Sequence, residues 1–378
     1  MKRIQTCDLF CTVVDNYGDI GIASRLASQL HGEQGLHVRL WVDDLRTFSR
    51  LHPDVTPDAE IQNWRGVEVH HWASQLAEVV PHQLVIEAFA CNLPESFLQQ
   101  MAAQTVKPVW VNLEYLSAEA WVEGCHGLAS PHPRLPLVRY FFFPGYTPAT
   151  GGLLREQGLI GAVRAFQLDT KAQIALWQQL QVPLPEAEEL RVSLFAYDNP
   201  SISSLLESLS RHAGPVSCLL PQSKALAPAL AHFGQSRAQA GDRFERGNLT
   251  LYVLPFLAQD QYDRLLWACD LNIVRGEDSF VRAQFAGRPV LWQAYVQEGD
   301  THGKKVQAWL DRYLDGASPP FRTQLQSLFS AWNHGAPVSF AWPEALPGWE
   351  ARARGWADEL AVLPSQSESL VKFALSKL

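Results

Sequence analysis

The chain has 378 residues, enough for about two to three domains of roughly 150 residues each. With 47% hydrophobic and 19% charged residues it is composed like a folded globular protein, not a disordered one. Thirty-one Lys and Arg stand against 39 Asp and Glu, and the resulting net charge of −8 argues against a general grip on nucleic acid or an anionic membrane. Apolar stretches such as Leu137–Phe143 fall far short of the roughly 18 residues a membrane span needs. The opening MKRIQTCDLF has two positive charges but no apolar h-region, so no secretory signal is expected there. Cys7, Cys11, Cys91, Cys125, Cys218 and Cys269 form no C-x-x-C pair, and the 12 histidines form no H-E-x-x-H. Neither a disulfide framework nor a zinc site is expected, and a reducing cytoplasm is the simplest compartment.

Taken in chain order, Thr6–Val14 is β-branched and apolar and predicts a strand. A loop from Asp15 to Gly21 follows, and then Ile22–Leu30 has helical apolar spacing. His37–Val42, Val67–His70, Leu84–Glu87, Val109–Leu113 and Val138–Phe143 complete six strands. Pro94–Gln104 is a helix with Pro at its start. A polar helix near Thr170–Gln181 and a Pro-rich stretch precede a restart. Leu190–Ala196, Val216–Leu220, Thr250–Leu254, Leu271–Val274 and Pro289–Leu291 predict strands there, with helices at Ser201–His212, Gln259–Cys269 and Ser279–Phe285. After Thr301 the chain is expected to be helical, broken by Pro319-Pro320, Pro337 and Pro347. Alternating strands and helices imply an α/β class with two Rossmann-like domains facing across a cleft, and ligands at the carboxyl ends of the strands. The expected domains are residues 1–165 and 185–350, with a C-terminal helix at about 355–378 packing back on the first.

Three segments are candidates for chemistry. The first is Val14-Asp15-Asn16-Tyr17-Gly18-Asp19-Ile20-Gly21, the first βα loop, with two carboxylates four residues apart. Asp19 could act chemically or simply cap the helix, and Asp15 could be a turn residue. The loop is not G-x-G-x-x-G, which makes a nicotinamide oxidoreductase improbable. The second is Arg275-Gly276-Glu277-Asp278-Ser279, where a strand runs into a helix. There the helix N-terminus and the Arg275 fork offer positive charge to an anion, although Asp278 or Ser279 could be only a cap. The third comprises the strand-end groups Phe195-Ala-Tyr197 and Phe256-Leu-Ala-Gln259, whose rings could stack a base while Gln259 reads its polar edge; core lids are the plainer role. There is no Asp-x-Asp, so a pyrophosphate would be neutralised by Arg and helix N-termini without a metal.

VDNYGDIG, together with PFLAQDQYDRLLWACDLNIVRGEDSFVRAQFAGRPVLWQAY from Pro255 to Tyr295, resembles the bacterial arginine rhamnosyltransferases that modify translation elongation factor P. The resemblance covers essentially the whole chain. It implies the GT-B fold and transfer of rhamnose from dTDP-β-L-rhamnose to one arginine of elongation factor P, with inversion and with no metal or other cofactor. It further implies that Phe195, Tyr197, Phe256 and Gln259 surround the thymidine part, while Arg275, Asp278 and Ser279 hold the ribose and diphosphate. Asp19 is then the catalytic base, supported by Asp15, with Glu277 at the reacting end. An arginine guanidinium is a poor nucleophile that needs carboxylates to orient it and take its proton, and these residues supply three. The rival readings are a GT-B enzyme with a small-molecule or lipid acceptor and a nucleotide-sugar-binding protein without turnover.

Overall fold

A computed structural model describes residues 3–14, 17–72, 79–296 and 298–378. It divides into two compact units, one of residues 1–157 with 362–378 and one of residues 158–361.

In the first unit the elements run β1 (Thr6–Cys11), α1 (Gly18–Gly32), β2 (His37–Val42), α2 (Leu45–Leu51), β3 (Ile61–Trp64) and β4 (Val67–His71). They continue as β5 (Leu84–Ala88), α3 (Glu95–Ala103), β6 (Val109–Leu113), α4 (Trp121–Cys125), β7 (Ala129–Pro131) and β8 (Val138–Phe142). The sheet order is β3-β4-β2-β1-β5-β6-β8-β7. Its inner six strands are parallel, and the outer β3 and β7 are antiparallel to their neighbours. Ranked by chain order, the six parallel strands follow the Rossmann sequence 3-2-1-4-5-6, which reverses between β1 and β5. β5 is buried along its whole length and β1 at all but its first residue, as a strand with helices on both faces must be.

The second unit holds α5 (Leu159–Leu168), α6 (Thr170–Leu180), β9 (Leu190–Leu194), α7 (Ile202–Leu209), β10 (Val216–Pro221), α8 (Leu226–His232) and β11 (Arg243–Arg246). Then come β12 (Leu249–Leu254), α9 (Gln259–Ala268), β13 (Leu271–Arg275), α10 (Asp278–Phe285), β14 (Val290–Gln293), α11 (Thr301–Tyr313), α12 (Pro319–Asn333) and α13 (Trp342–Ala361). Its sheet, β11-β12-β10-β9-β13-β14, reverses between β9 and β13. The last helix, α14 (Gln366–Leu375), belongs to the first unit. Ser365 caps it, a bridge joins Leu153 to Ser365, and Arg155 donates to the Leu363 carbonyl at 2.9 Å. Phe373 packs edge-on against Tyr140 and Phe142.

Four expectations are corrected. The short outer strands β3, β7 and β11 add to the predicted set, because each is an exposed partner of a hairpin or of β8 and carries little apolar signal. α1 begins at Gly18, four residues before the predicted start, so Gly18–Gly21 are helical and not loop. Pro319 and Pro320 begin α12, as the first turn of a helix permits. Pro347 does not break its helix, since α13 runs through it from Trp342 to Ala361 with Trp342, Trp349 and Trp356 buried. That burial offsets the lost hydrogen bond.

Inside the first sheet, Asp8 is fully buried. Its Oδ1 accepts from Arg39 Nε at 2.7 Å and Trp41 Nε1 at 3.0 Å; its Oδ2 accepts from the Arg39 guanidinium and the His82 amide, both at 2.8 Å. Removing the carboxylate strands a guanidinium that is itself buried. Asp8→Ala is therefore expected to destabilise the first unit by about 3–5 kcal/mol in urea unfolding; a loss below about 1 kcal/mol would show that Arg39 finds other partners.

Candidate active site

Those of the singled-out residues that the structure describes emerge at the carboxyl ends of the strands, and most of them at the two reversal points. In the first unit, α1 follows β1 and carries Asp19 in its first turn. The N-cap is Tyr17, with no side-chain capping bond, so Asp19 is not the cap that one sequence reading allowed. Its carboxylate reaches out of the helix: Oδ2 accepts from the Val14 amide at 2.9 Å, and Oδ1 accepts from the Tyr115 hydroxyl at 3.0 Å. Asp19 is only 1% exposed. A carboxylate there needs fixed donors in place of water, and the positive end of α1 adds to them. Asp15 lies outside the described residues.

Two groups at this edge had no motif to betray them. Asp43, directly after β2, accepts from the Val13 amide at 2.9 Å, and burial pushes its carboxyl above the usual range. Tyr115, two residues past β6, is bound to Asp19 across 96 positions of sequence. Only the fold reveals either contact.

In the second unit, Phe195-Ala196-Tyr197 follow β9 directly and β13 ends in Arg275, the two strands pairing side by side at the reversal point. The Arg275 guanidinium lies 4.7 Å from the Phe195 ring centre and 4.5 Å from that of Tyr197. Both aromatic faces hold the cation by its attraction to the ring quadrupole. Gly276 turns with φ +64°, a left-handed conformation suited to glycine, and its carbonyl accepts from Trp292 Nε1 at 2.6 Å. Phe280 stacks on that indole at 4.0 Å, which fixes the turn from below.

α10 then starts with Glu277 at its N-cap position, Asp278 at its first and Ser279 at its second residue. Neither Asp278 nor Ser279 is the cap. The Ser279 hydroxyl donates to the Arg275 carbonyl, and Asp278 Oδ2 accepts from Gln259 Nε2 at 2.9 Å. Gln259, the first residue of α9, is thus tied to the start of α10. Phe256 is half-buried two residues past β12. Phe195, Tyr197, Arg275, Gly276, Ser279, Asp278 and Gln259 therefore form one linked set.

Gln293 and Tyr262 join this set without having been singled out as functional. Gln293 Oε1 accepts from the Tyr197 amide at 2.9 Å and holds the Phe195–Tyr197 segment in register with β14. The Tyr262 ring packs against Phe195 at 5.2 Å; burial pushes its phenol well above the usual range, while the Arg275 charge acts the other way. The arrangement offers two flat rings, a restrained guanidinium and the leading N–H groups of a helix: surfaces suited to a base and to an oxyanion.

Among the described residues, no group of three or more His, Cys, Asp and Glu has metal-site geometry, and no helix is long and apolar enough to cross a membrane. The family model described as elongation factor P (EF-P) rhamnosyltransferase EarP matches residues 7–375. The protein-arginine rhamnosyltransferase of Pseudomonas putida is 46% identical over 376 residues, covering 99% of each chain. That of Neisseria meningitidis is 36% identical over 383 residues, covering 97% of this chain and 96% of the relative. A solved structure described as the structural basis for EarP-mediated arginine glycosylation of translation elongation factor EF-P is 35% identical, covers 99% of each chain and superposes with a TM-score of 0.71. A UDP-GlcNAc 2-epimerase of Neisseria meningitidis shares the fold alone, at 9% identity and a TM-score of 0.50 over 99% of this chain and 100% of that one.

Proposed function

The chain belongs to the family of protein-arginine rhamnosyltransferases of the GT-B class, and on that premise we propose that it moves rhamnose from dTDP-β-L-rhamnose to an arginine side chain of translation elongation factor P, inverting the anomeric centre. The observation that carries the donor half is Arg275, packed on both the Phe195 and Tyr197 rings beside the N-terminus of α10. Phe195, Tyr197, Phe256 and Gln259 take the thymidine part. Arg275, Asp278 and Ser279 take the ribose and diphosphate.

The chemistry follows from the charges. A guanidinium nitrogen of the acceptor attacks C1 of the rhamnose as the bond from C1 to the diphosphate oxygen breaks. The nitrogen's proton passes to the Asp19 carboxylate, and dTDP departs with the electron pair. Asp15 supports this step and Glu277 assists at the reacting carbon. Charge building on the diphosphate meets Arg275 and the helix N-terminus, which stabilise it without a metal ion. Sugar cleavage passes through an oxocarbenium-like state, and nearby carboxylates favour that cation too. Six free thiols and a translation factor as acceptor fit a cytoplasmic setting.

Asp19→Asn is expected to keep dTDP affinity while transfer falls by about 10²–10⁴-fold. Incubation with elongation factor P and dTDP-rhamnose, read as the mass increase on the acceptor, measures this; wild-type transfer by the variant overturns the base assignment. Arg275→Lys removes the planar fork that packs on the two rings. It should weaken dTDP binding by about tenfold or more in calorimetry, and unchanged binding would move the diphosphate elsewhere. EDTA should leave the rate unaltered, whereas inhibition reversed by Mg²⁺ would contradict the metal-free reading. Modification of a small molecule or lipid in place of elongation factor P would favour the rival acceptors.

A further inference from the structure

We infer that Tyr115 is a positioning residue for the transfer reaction, setting the orientation of the Asp19 carboxylate through its hydroxyl and held in place by the Phe89 ring. The inference rests on Asp19 being the base.

Each oxygen of Asp19 has a fixed partner from a different strand end. The Val14 amide, past β1, holds Oδ2, and the Tyr115 hydroxyl, past β6, holds Oδ1. Two donors from two separate elements fix the rotation of a carboxylate about its Cβ–Cγ bond, which one donor does not. A base that takes a proton from a delocalised guanidinium works only when its lone pair lies along the N–H direction, so this rotation bears on the rate.

Tyr115 is itself braced. Its ring stacks on Phe89 with centres 4.3 Å apart and planes 12° from parallel. Phe89 leaves β5 with φ +56°, and Ala90 and Asn92 follow at +53° and +57°. Left-handed backbone at such residues is uncommon and stores strain, which the surrounding contacts must hold. Three bonds do so. The Phe89 amide donates to the Leu113 carbonyl at 2.8 Å, the Ala90 amide to Asn112 Oδ1 at 3.1 Å and the Asn92 amide to Glu87 Oε1 at 3.0 Å. The strained loop is tied to the end of β6, two residues before Tyr115, and it presents the ring on which the phenol rests. Tyr115 is 38% exposed. Core packing alone does not account for a half-exposed tyrosine whose hydroxyl is spent on a buried carboxylate.

The test is a double-mutant cycle on transfer kinetics at saturating donor and acceptor. Tyr115→Phe deletes one oxygen and keeps the stack. It should lower kcat by about ten- to a hundredfold, with both KM values within about twofold and Tm nearly unaltered. Phe89→Ala keeps the hydroxyl and removes its support; it should lower kcat by less. In the Asp19→Asn background Tyr115→Phe should cost nothing further, because the group it orients has lost its proton-accepting role. Wild-type kcat in Tyr115→Phe, or the same fractional loss in both backgrounds, overturns the inference while leaving the base assignment standing. Full transfer by Asp19→Asn overturns both.

Discussion

A parallel sheet whose strand order reverses sends the connections on either side of the reversal to opposite faces, and the loops there part to leave a crevice at the strand ends. Both sheets of this chain contain one such reversal, between β1 and β5 and between β9 and β13. Asp19 and the strained loop from Phe89 to Asn92 flank the first. Phe195–Tyr197 and Arg275–Ser279 flank the second. Backbone polar groups inside the sheets are consumed by the ladders, so groups able to meet a ligand are concentrated at these ends.

The same device handles charge in opposite senses in the two units. Asp19 sits in the first turn of α1, where the helix dipole and two donors make a buried carboxylate tolerable. Arg275 sits on two aromatic faces just ahead of α10, so the cation and the helix N-terminus add their positive potentials. A buried carboxylate stands in the first turn of one helix, and a restrained guanidinium stands just ahead of the other. The difference lies in which side chain the strand end delivers, since the backbone pattern is shared.

Much of this was legible in the residues. β13 was legible because Leu-Asn-Ile-Val is a mostly apolar run bounded by Asp270 and Gly276, and β5 and β6 have a similar signature. The outer strands were not, because β3 reads Ile-Gln-Asn-Trp and turns through Arg65-Gly66 without the Asn-Gly or Asp-Gly that usually marks a hairpin. The start of α1 was misjudged because Gly18 and Gly21 lower helix propensity, and burial of Ile20 and Ile22 against the core overrides that. The residues proposed for the donor sit in one continuous stretch and at two strand ends, where the sequence already groups them. Tyr115 lies in Leu-Glu-Tyr-Leu-Ser, where nothing local hints at a partner 96 positions away.

The return of α14 to the first unit also bears on how the chain folds. Residues 1–157 leave the ribosome first, yet the unit they belong to is completed only by residues 362–378, after the whole of the second unit has been made. Until then Tyr140, Phe142 and His126 lack the Phe373 ring that packs against them. The continuous second unit can fold in that interval on its own local order, while the first has all eight strands of its sheet but still lacks its last helix. Docking of a ten-residue helix thus closes a 204-residue insertion between the two parts of the first unit.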